Sequence, residues 1–353
     1  MIAPNRDRIS YINSFKERKK RIMCTVISRE GSPMYFGRNM DIECSFGESV
    51  VITPRGYKPA SGRKMPFMRY SVIGMATVSE DFPLYADAVN EKGLCMAGLY
   101  FPGNAVYADR GGKYEKSIAT YELIPLILGS CENISQAKEL LYGLTITDEP
   151  FSERMPAAEL HWIISDKTGS ITVESTKSGL SVTDNPYGVL TNNPPFRFHC
   201  ENVRQYIHLS PENPSNKNCG NFELSVFGQG IGAFGLPGDF SPASRFVKAF
   251  FCKTNSIWGD GEEENVTHMF HLLDAVAMPR GAVLTGSGKP DITTYSCCIS
   301  AEKGIYYFKT YENSRISMAR LTDECMTAAR LTVFPVAHTQ SFYDVTGKTV
   351  NLK

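Results

Sequence analysis

Short apolar runs alternate with turn residues along much of this chain, which is the pattern of antiparallel strands. Runs bounded by Gly, Pro and polar residues predict nine strands: residues 24–27, 34–37, 50–53, 71–78, 94–100, 160–164, 170–173, 291–299 and 304–310. The sixth and seventh runs flank Asp166-Lys167-Thr168-Gly169, so they predict a hairpin.

Helices are predicted in two groups between these strands. Helical patterns cover residues 118–128 and 135–144, and a second group covers 242–252 and 262–278. The last of these begins with an acidic turn, which suits the N-terminal end of a helix dipole. Antiparallel strands with helices grouped in two places predict the α+β class.

Composition agrees with a soluble enzyme and does not indicate a nucleic-acid or membrane protein. Of 353 residues, 42% are hydrophobic and 21% are charged, and 37 basic residues balance 37 acidic ones. No run reaches the ~20 apolar residues of a membrane span. The ten cysteines include no Cys-x-x-Cys pair, so the sequence predicts no metal site, and without an export signal we expect reduced thiols in the cytoplasm.

Residues 1–22 differ from the rest of the chain, because seven basic residues against two acidic ones give them a net charge of +5. They also lack the apolar run of a secretory signal. Two explanations are open: translation begins at Met23, whose methionine is then removed, or the segment is a propeptide that is cleaved autocatalytically. We favour the first. Either one makes residues 1–23 a leader or extension absent from the mature enzyme, and residues 24–353 a single domain.

The candidate chemistry lies at Cys24. As a first residue it would carry a thiol together with an α-amino group, whose pKa of ~7.7–8.0 makes it a better base at neutral pH than a lysine near ~10.4. The six histidines show no spacing typical of a nucleophile's partner, and His161 and His199 are predicted to be packing residues. The amine can then act as the base. The alternative is that Met23-Cys24-Thr25 is simply a buried strand.

A hairpin of strands 24–27 and 34–37 would return Arg38 and Asp41 to the neighbourhood of Cys24. A guanidinium beside a thiol favours the thiolate, and a carboxylate beside an α-ammonium orients it. Without such a site, the two side chains would be a surface ion pair of little energetic value.

Seven motifs in chain order make this sequence similar to a known family: Met-Cys-Thr (23–25), Gly-Arg-Asn-Met-Asp-Ile-Glu (37–43), Asn-Glu-Lys-Gly-Leu (90–94), Ala-Gly-Leu-Tyr-Phe-Pro (97–102), Leu-His-Trp (160–162), Val-Leu-Thr-Asn (189–192) and Gly-Leu-Pro-Gly-Asp-Phe-Ser-Pro-Ala-Ser-Arg-Phe (235–246). They resemble the choloylglycine hydrolase family, which comprises bile salt hydrolases and penicillin V acylases. The resemblance implies the four-layer αββα sandwich of N-terminal-nucleophile hydrolases, no cofactor, and a homotetramer.

The resemblance also implies roles for residues of the site. Cys24 corresponds to the nucleophile, and Asp41 to the carboxylate that positions its amine. Arg38 corresponds to the guanidinium beside the sulfur, and Arg245 to the second arginine of the site.

An oxyanion hole is implied by the same resemblance. Asn192 corresponds to the side-chain donor, and the backbone N–H of Tyr100 to the second donor. The loss of one such donor typically costs ~10²–10³ in rate. Taken alone, Thr-Asn-Asn-Pro-Pro (191–195) would be read only as a turn.

The sequence leaves more than one substrate class open. Tyr100 stands where many bile salt hydrolases carry asparagine and penicillin V acylases carry tyrosine, whereas residues 37–43 and 228–245 look closer to the bile salt enzymes. The resemblance implies hydrolysis of glycine- and taurine-conjugated bile acids through a thioester. The alternatives are penicillin V or another N-acyl amide, and a catalytically silent bile-acid or lipid-binding protein if Cys24 stays internal.

Overall fold

Two antiparallel sheets stacked face to face form the centre of the molecule. The computed structural model describes residues 23–348, so the extension predicted over residues 1–22 lies outside the described residues. Met23, the last residue assigned to that extension, is the first residue of strand β1 (Met23–Arg29).

The first sheet carries the N-terminal hairpin. Its strands are β1 (Met23–Arg29), β2 (Tyr35–Ile42), β12 (Val189–Leu190), β15 (Val283–Leu284), β16 (Pro290–Ser300), β17 (Ile305–Thr310) and β18 (Ser317–Arg320). They run in the order β12-β1-β2-β16-β17-β18, and β15 pairs with β16.

The second sheet has eight strands in the order β11-β10-β9-β6-β5-β4-β3-β19. They are β3 (Ser49–Thr53), β4 (Val72–Ser79), β5 (Phe82–Asn90), β6 (Cys95–Tyr100), β9 (Leu160–Asp166), β10 (Gly169–Thr176), β11 (Gly179–Asp184) and β19 (Thr332–Pro335). Two small strand pairs lie outside both sheets: β7 (Ser117–Ala119) with β8 (Thr145–Thr147), and β13 (Lys217–Cys219) with β14 (Phe222–Leu224).

Helices cover the outer face of each sheet. The α-helices of the described residues are α1 (Leu123–Ser130), α2 (Ile134–Leu141), α3 (Phe196–Val203), α4 (Pro242–Thr254), α5 (Glu262–Asp274) and α6 (Asp323–Met326). Short 3-10 turns lie at Thr120–Glu122, Arg204–Tyr206 and Ile231–Ala233. Helices α1 and α2 pack on the second sheet, whereas α4 and α5 pack on β1, β2 and β16 of the first.

This layering gives two hydrophobic cores. One fills the space between the sheets and continues under α4 and α5, and the other lies between the second sheet and α1 and α2. Gly37 allows α5 to approach β2 closely, because a Cβ at this position would lie 2.7 Å from the sulfur of Met269. The predicted αββα sandwich is therefore confirmed.

Several predicted boundaries were wrong. The helix expected over 118–128 begins as strand β7 and a 3-10 turn and becomes α-helical only at Leu123, while the helix expected over 262–278 ends at Asp274. Strand β5 was not predicted, because Pro83, Asp87 and Asn90 interrupt its apolar pattern. Its central position in the second sheet nevertheless buries Asp87 and Asn90.

Candidate functional site

Cys24 lies in the hairpin of β1 and β2, opposite Met40 in the register. Its sulfur accepts a hydrogen bond from Nη2 of Arg38 at 3.2 Å and lies 3.7 Å from the sulfur of Met40. Cys24 and Arg38 are both buried. The predicted approach of Arg38 to Cys24 therefore follows from the antiparallel pairing of two adjacent strands.

The guanidinium of Arg38 reaches from the first sheet to the second. Nη2 also donates to the carbonyl oxygen of Gly98 at 2.7 Å, and Nη1 donates to the carbonyl oxygen of Ala86 and to Oδ2 of Asp87, the latter at 3.2 Å. Arg38 is therefore held on β5 and β6 while one of its nitrogens faces the Cys24 sulfur.

Burial controls the protonation of the thiol. It raises the pKa of Cys24 above its ordinary value, and Asp41 adds to this rise, while Arg38 and Arg245 oppose it. The sequence correctly placed a guanidinium beside the sulfur, but its effect on the pKa is smaller than that of burial. The thiol is protonated at neutral pH, so a nucleophilic role requires a nearby proton acceptor.

The backbone nitrogen of Cys24 faces Asn192, which directly follows β12 and Thr191. This nitrogen donates to Oδ1 of Asn192 at 2.8 Å, and Nη2 of Arg245 donates to the same oxygen at 2.8 Å. Nδ2 of Asn192 donates to the carbonyl oxygen of Tyr100 at 2.8 Å. These contacts fix the orientation of the amide, with its oxygen toward Cys24 and its nitrogen toward the end of β6.

Arg245 lies in the first turn of α4. Ser241 caps this helix by accepting from the N–H of Ser244, and Pro242 occupies the first helical position. Nη1 of Arg245 donates to the carbonyl oxygen of Cys24 and to Oγ1 of Thr25, each at 2.6 Å. One buried guanidinium thus joins the helix to the strand that carries the thiol.

Asp41 lies opposite Met23 on one side and Thr293 on the other. Its Oδ1 accepts from Oγ1 of Thr293 at 2.6 Å, and its Oδ2 lies 3.9 Å from Nη1 of Arg245, without a hydrogen bond to any described residue. Burial raises the pKa of Asp41 to about 6, against the opposing effects of Arg245 and Thr293. Asp41 is therefore a buried carboxylate with one oxygen left for a donor.

Asp291 is a second buried carboxyl group in this region. Burial, together with the charge of Asp41, raises its pKa to about 7, and its Oδ1 has no hydrogen-bond partner among the described residues. Asp291 was not predicted from the sequence, because it reaches the site only through the position of β16 beside β2.

Two buried histidines support the loop that carries Asn192. Nε2 of His199 donates to the backbone carbonyl of Asn192 at 2.9 Å, and burial lowers the pKa of His199 to about 4, so the ring is neutral. His161 contacts Glu174 and the carbonyl oxygen of Thr191, at 3.0 and 2.8 Å. Both rings are buried and hydrogen-bonded to neighbouring groups, as expected of packing residues.

The region behind the site contains a cavity of about 520 Å³, lined in part by Arg245 and Thr293 together with the end of α5. The cavity shares Arg245 and Thr293 with the site, whereas Cys24, Arg38, Asp41 and Asn192 are not among its lining residues. Within residues 23–348, no three His, Cys, Asp or Glu side chains are grouped to hold a metal ion, and no helix has the length and apolarity to cross a bilayer.

Comparison with protein families identifies the class of this protein. Residues 24–334 match the family described as linear amide C–N hydrolases, choloylglycine hydrolase family. The class is therefore a hydrolase of linear amide C–N bonds. The chain belongs to the choloylglycine hydrolase family, and the matched region begins at Cys24.

Curated relatives are similar over nearly the whole chain. A bile salt hydrolase/transferase of Lactiplantibacillus plantarum is 41% identical, covering 92% of this chain and 100% of its own. A bile salt hydrolase/transferase of Clostridium perfringens is 40% identical with the same coverage, and a conjugated bile acid hydrolase of Lactobacillus gasseri is 36% identical over 88% of this chain and 100% of its own.

Solved structures agree with the architecture. A mutant of the conjugated bile acid hydrolase from Clostridium perfringens superposes with a TM-score of 0.86 at 39% identity, covering 92% of this chain and 100% of that one. A penicillin V acylase from Agrobacterium tumefaciens has a TM-score of 0.70 at 19% identity, over 88% and 91% of the two chains, and shares the fold.

Proposed function

We propose that this enzyme hydrolyses the amide bond of glycine- and taurine-conjugated bile acids, with Cys24 as an N-terminal nucleophile. The observation that carries this proposal is the convergence on Cys24: a guanidinium contacts its sulfur, and a side-chain amide contacts its backbone nitrogen. The names of the relatives that span nearly the whole chain support the substrate class.

The reaction begins with transfer of the thiol proton of Cys24 to its own α-amine. The sulfur then attacks the amide carbon of the substrate, and the resulting oxyanion is stabilised by Nδ2 of Asn192 and the backbone N–H of Tyr100. Nδ2 carries two hydrogens, of which one is used on the Tyr100 carbonyl, so the second is left for the substrate.

Collapse of this intermediate breaks the C–N bond. The α-ammonium of Cys24 returns its proton to the leaving nitrogen, so that glycine or taurine departs as an amine and the bile acid is held as a thioester on the sulfur. The amine then deprotonates a water molecule, which attacks the thioester carbon. The C–S bond breaks, the free bile acid leaves, and the α-ammonium returns its proton to the sulfur of Cys24.

Asp41 and Arg245 hold the amine that performs these transfers. Oδ2 of Asp41 is buried and has no hydrogen-bond donor among residues 23–348, and the free α-ammonium of a mature Cys24 is the cation that would satisfy it. Arg245 binds the carbonyl oxygen of Cys24 and fixes the backbone from which the amine projects. This proposal requires that residues 1–23 be absent from the active enzyme.

Penicillin V is the second candidate substrate, and Tyr100 is the residue that favours it. A catalytically silent bile-acid or lipid-binding protein is the alternative from another class, and it requires Cys24 to remain internal. Cytoplasmic location and assembly as a homotetramer stay predictions of the family resemblance.

Parallel kinetics test the proposal. We would measure kcat/KM for taurocholate, glycocholate and penicillin V on protein whose first residue is Cys24, with Cys24→Ala as the control. The proposal predicts a preference for the bile salts of about 100-fold, which corresponds to about 2.7 kcal/mol of transition-state discrimination. The reverse preference would identify a penicillin V acylase, and binding of bile acids without turnover would identify the silent binder.

A further inference from the structure

A fully buried carboxylate lies behind the arginine that contacts the nucleophile. Asp87 is on β5 of the second sheet and is 0% exposed, and Arg38, on β2 of the first sheet, is 1% exposed. Their side chains form an ion pair of 3.2 Å between Oδ2 and Nη1. An ion pair removed from water stabilises a fold poorly unless further hydrogen bonds satisfy it.

Those further hydrogen bonds come from two tyrosines on adjacent strands of the first sheet. Tyr295 on β16 donates its hydroxyl to Oδ2 of Asp87 at 2.5 Å, and Tyr306 on β17 donates to Oδ1 at 2.6 Å. The thiol of Cys297 adds a longer contact of 3.5 Å to Oδ1. Within the described part of the chain, the carboxylate therefore accepts from four donors, of which only Arg38 also contacts the nucleophile.

We propose that Asp87, fixed by the hydroxyls of Tyr295 and Tyr306, is the positioning residue that holds the guanidinium of Arg38 against the sulfur of Cys24. The planar geometry of a guanidinium makes this possible, because Nη1 and Nη2 form a rigid fork. Nη1 faces Asp87 and Nη2 faces the sulfur, so the carboxylate, together with the carbonyl oxygens of Ala86 and Gly98, sets the direction of the N–H that reaches the sulfur.

The network acts by geometry, because the tyrosine and cysteine donors to Asp87 keep their protons at neutral pH. Burial raises the pKa of both Tyr295 and Tyr306 well above the ordinary value, and Asp87 raises them further, so both hydroxyls stay protonated. Burial and Asp87 do the same for the pKa of Cys297. Burial, Asp166 and Asp87 raise the pKa of Cys95 on β6 in the same way. Among the described residues, the donors to Asp87 are thus neutral hydroxyl and thiol groups and the guanidinium of Arg38.

Removal of one tyrosine hydroxyl moves the guanidinium of Arg38 in a defined direction. A carboxylate with one donor fewer draws more strongly on Arg38, which moves the guanidinium toward β5 and away from the sulfur. The thiol then loses its stabilising contact, and its pKa rises. The other charged groups that face the thiol, Asp41 and Arg245, are unchanged by this substitution.

The test uses Tyr295→Phe and Tyr306→Phe. Replacing Asp87 itself would leave a buried arginine unpaired, and that variant can fail to fold. The matched control is Tyr85→Phe, which also removes a buried tyrosine hydroxyl, here one that contacts Thr53 at 2.8 Å in the second sheet and has no hydrogen bond to Arg38.

Two readouts are followed for each variant. The first is the pH dependence of iodoacetamide alkylation at Cys24, quantified by peptide mass spectrometry, which needs no substrate. The second is kcat and KM for taurocholate hydrolysis. For both tyrosine variants, we expect the pH at the midpoint of Cys24 alkylation to rise by about half a pH unit or more. We also expect kcat to fall about tenfold with KM within about twofold of the parent, as for an interaction made in the transition state.

The inference would be overturned if both tyrosine variants kept the parent alkylation midpoint and lost activity only in proportion to folded protein, as Tyr85→Phe does. Because the inference rests on the proposed role of Cys24, Cys24→Ala is assayed alongside. Turnover by that variant would reject the proposed function, whereas an inactive Cys24→Ala with unaffected tyrosine variants would reject only the positioning role of Asp87.

Discussion

Nη2 of Arg245 donates to Oδ1 of Asn192 at 2.8 Å, so the first turn of helix α4 holds the side chain that faces the backbone nitrogen of Cys24. The other outer nitrogen of Arg245 binds the carbonyl oxygen of Cys24 and the hydroxyl of Thr25. A single planar group therefore joins the nucleophile's backbone to the proposed oxyanion donor.

Replacement of Arg245 by lysine tests this relationship. Arg245→Lys keeps the charge but cannot reach Asn192 and Cys24 at the same time, so we expect kcat to fall about 10²-fold, comparable to the loss of one oxyanion donor. The measurement is steady-state kinetics on taurocholate. Arg204→Lys, at an exposed arginine paired with Glu201, is the control, and equal activity of the two variants would contradict the role of Arg245.

Replacement of Asn192 by alanine tests the oxyanion hole more directly. We expect Asn192→Ala to lower kcat by ~10²–10³ with a smaller change in KM, because the side-chain amide is proposed to act on the transition state. Asn185→Ala is the matched control: Asn185 is also buried and donates to the carbonyl oxygen of Val189 at 3.0 Å in the preceding turn. A fall in kcat of the same size in both variants would indicate a structural role for Asn192.

Asp291 gives a pH-dependent prediction for stability. Its pKa in the folded protein is about 7, above the ~3.9 of an unfolded aspartate, so the folded state binds the extra proton. The contribution of this proton to the free energy of unfolding is fully present below pH ~3.9 and is lost as the pH rises through 7. The Asp291→Asn variant cannot ionise at this position, so its stability does not fall in this way as the pH rises. We therefore expect the Tm of this variant to exceed that of the parent by about 2 °C or more at pH 8, with a smaller difference at pH 5.

Thermal unfolding between pH 5 and 8 checks this prediction. Asp184→Asn is the control, since Asp184 is an exposed carboxylate whose ion pair with Lys138 contributes little. A Tm difference for Asp291→Asn that does not grow with pH would show that Asp291 is not held with a raised pKa.

The sequence predicted those parts of the site that depend on local structure. Arg38 and Asp41 follow Cys24 in one hairpin, so the turn between the strands was enough to predict their approach to residue 24. Thr293 and Asp87 were missed, because one reaches Asp41 by pairing of strands 252 positions apart and the other reaches Arg38 from the opposite sheet. No local pattern encodes such contacts.

The pKa of the Cys24 thiol illustrates a second limit of prediction from the sequence. The neighbouring Arg38 was correctly predicted, yet the dominant effect on Cys24 is burial between the sheets, which is a property of the assembled fold. Burial is also what makes a built-in base necessary. The same chemistry could not have been deduced from the spacing of Cys24 and Arg38 alone.

The central claim is that the amine of Cys24 must be free. The most direct test expresses residues 1–353 and residues 23–353 in parallel, determines by intact mass which fraction of each preparation begins at Cys24, and measures taurocholate hydrolysis per milligram. We predict activity in proportion to that fraction, with none from chains that retain residues before Cys24. Full activity from a chain whose first residue is Met1 or Met23 would contradict the account.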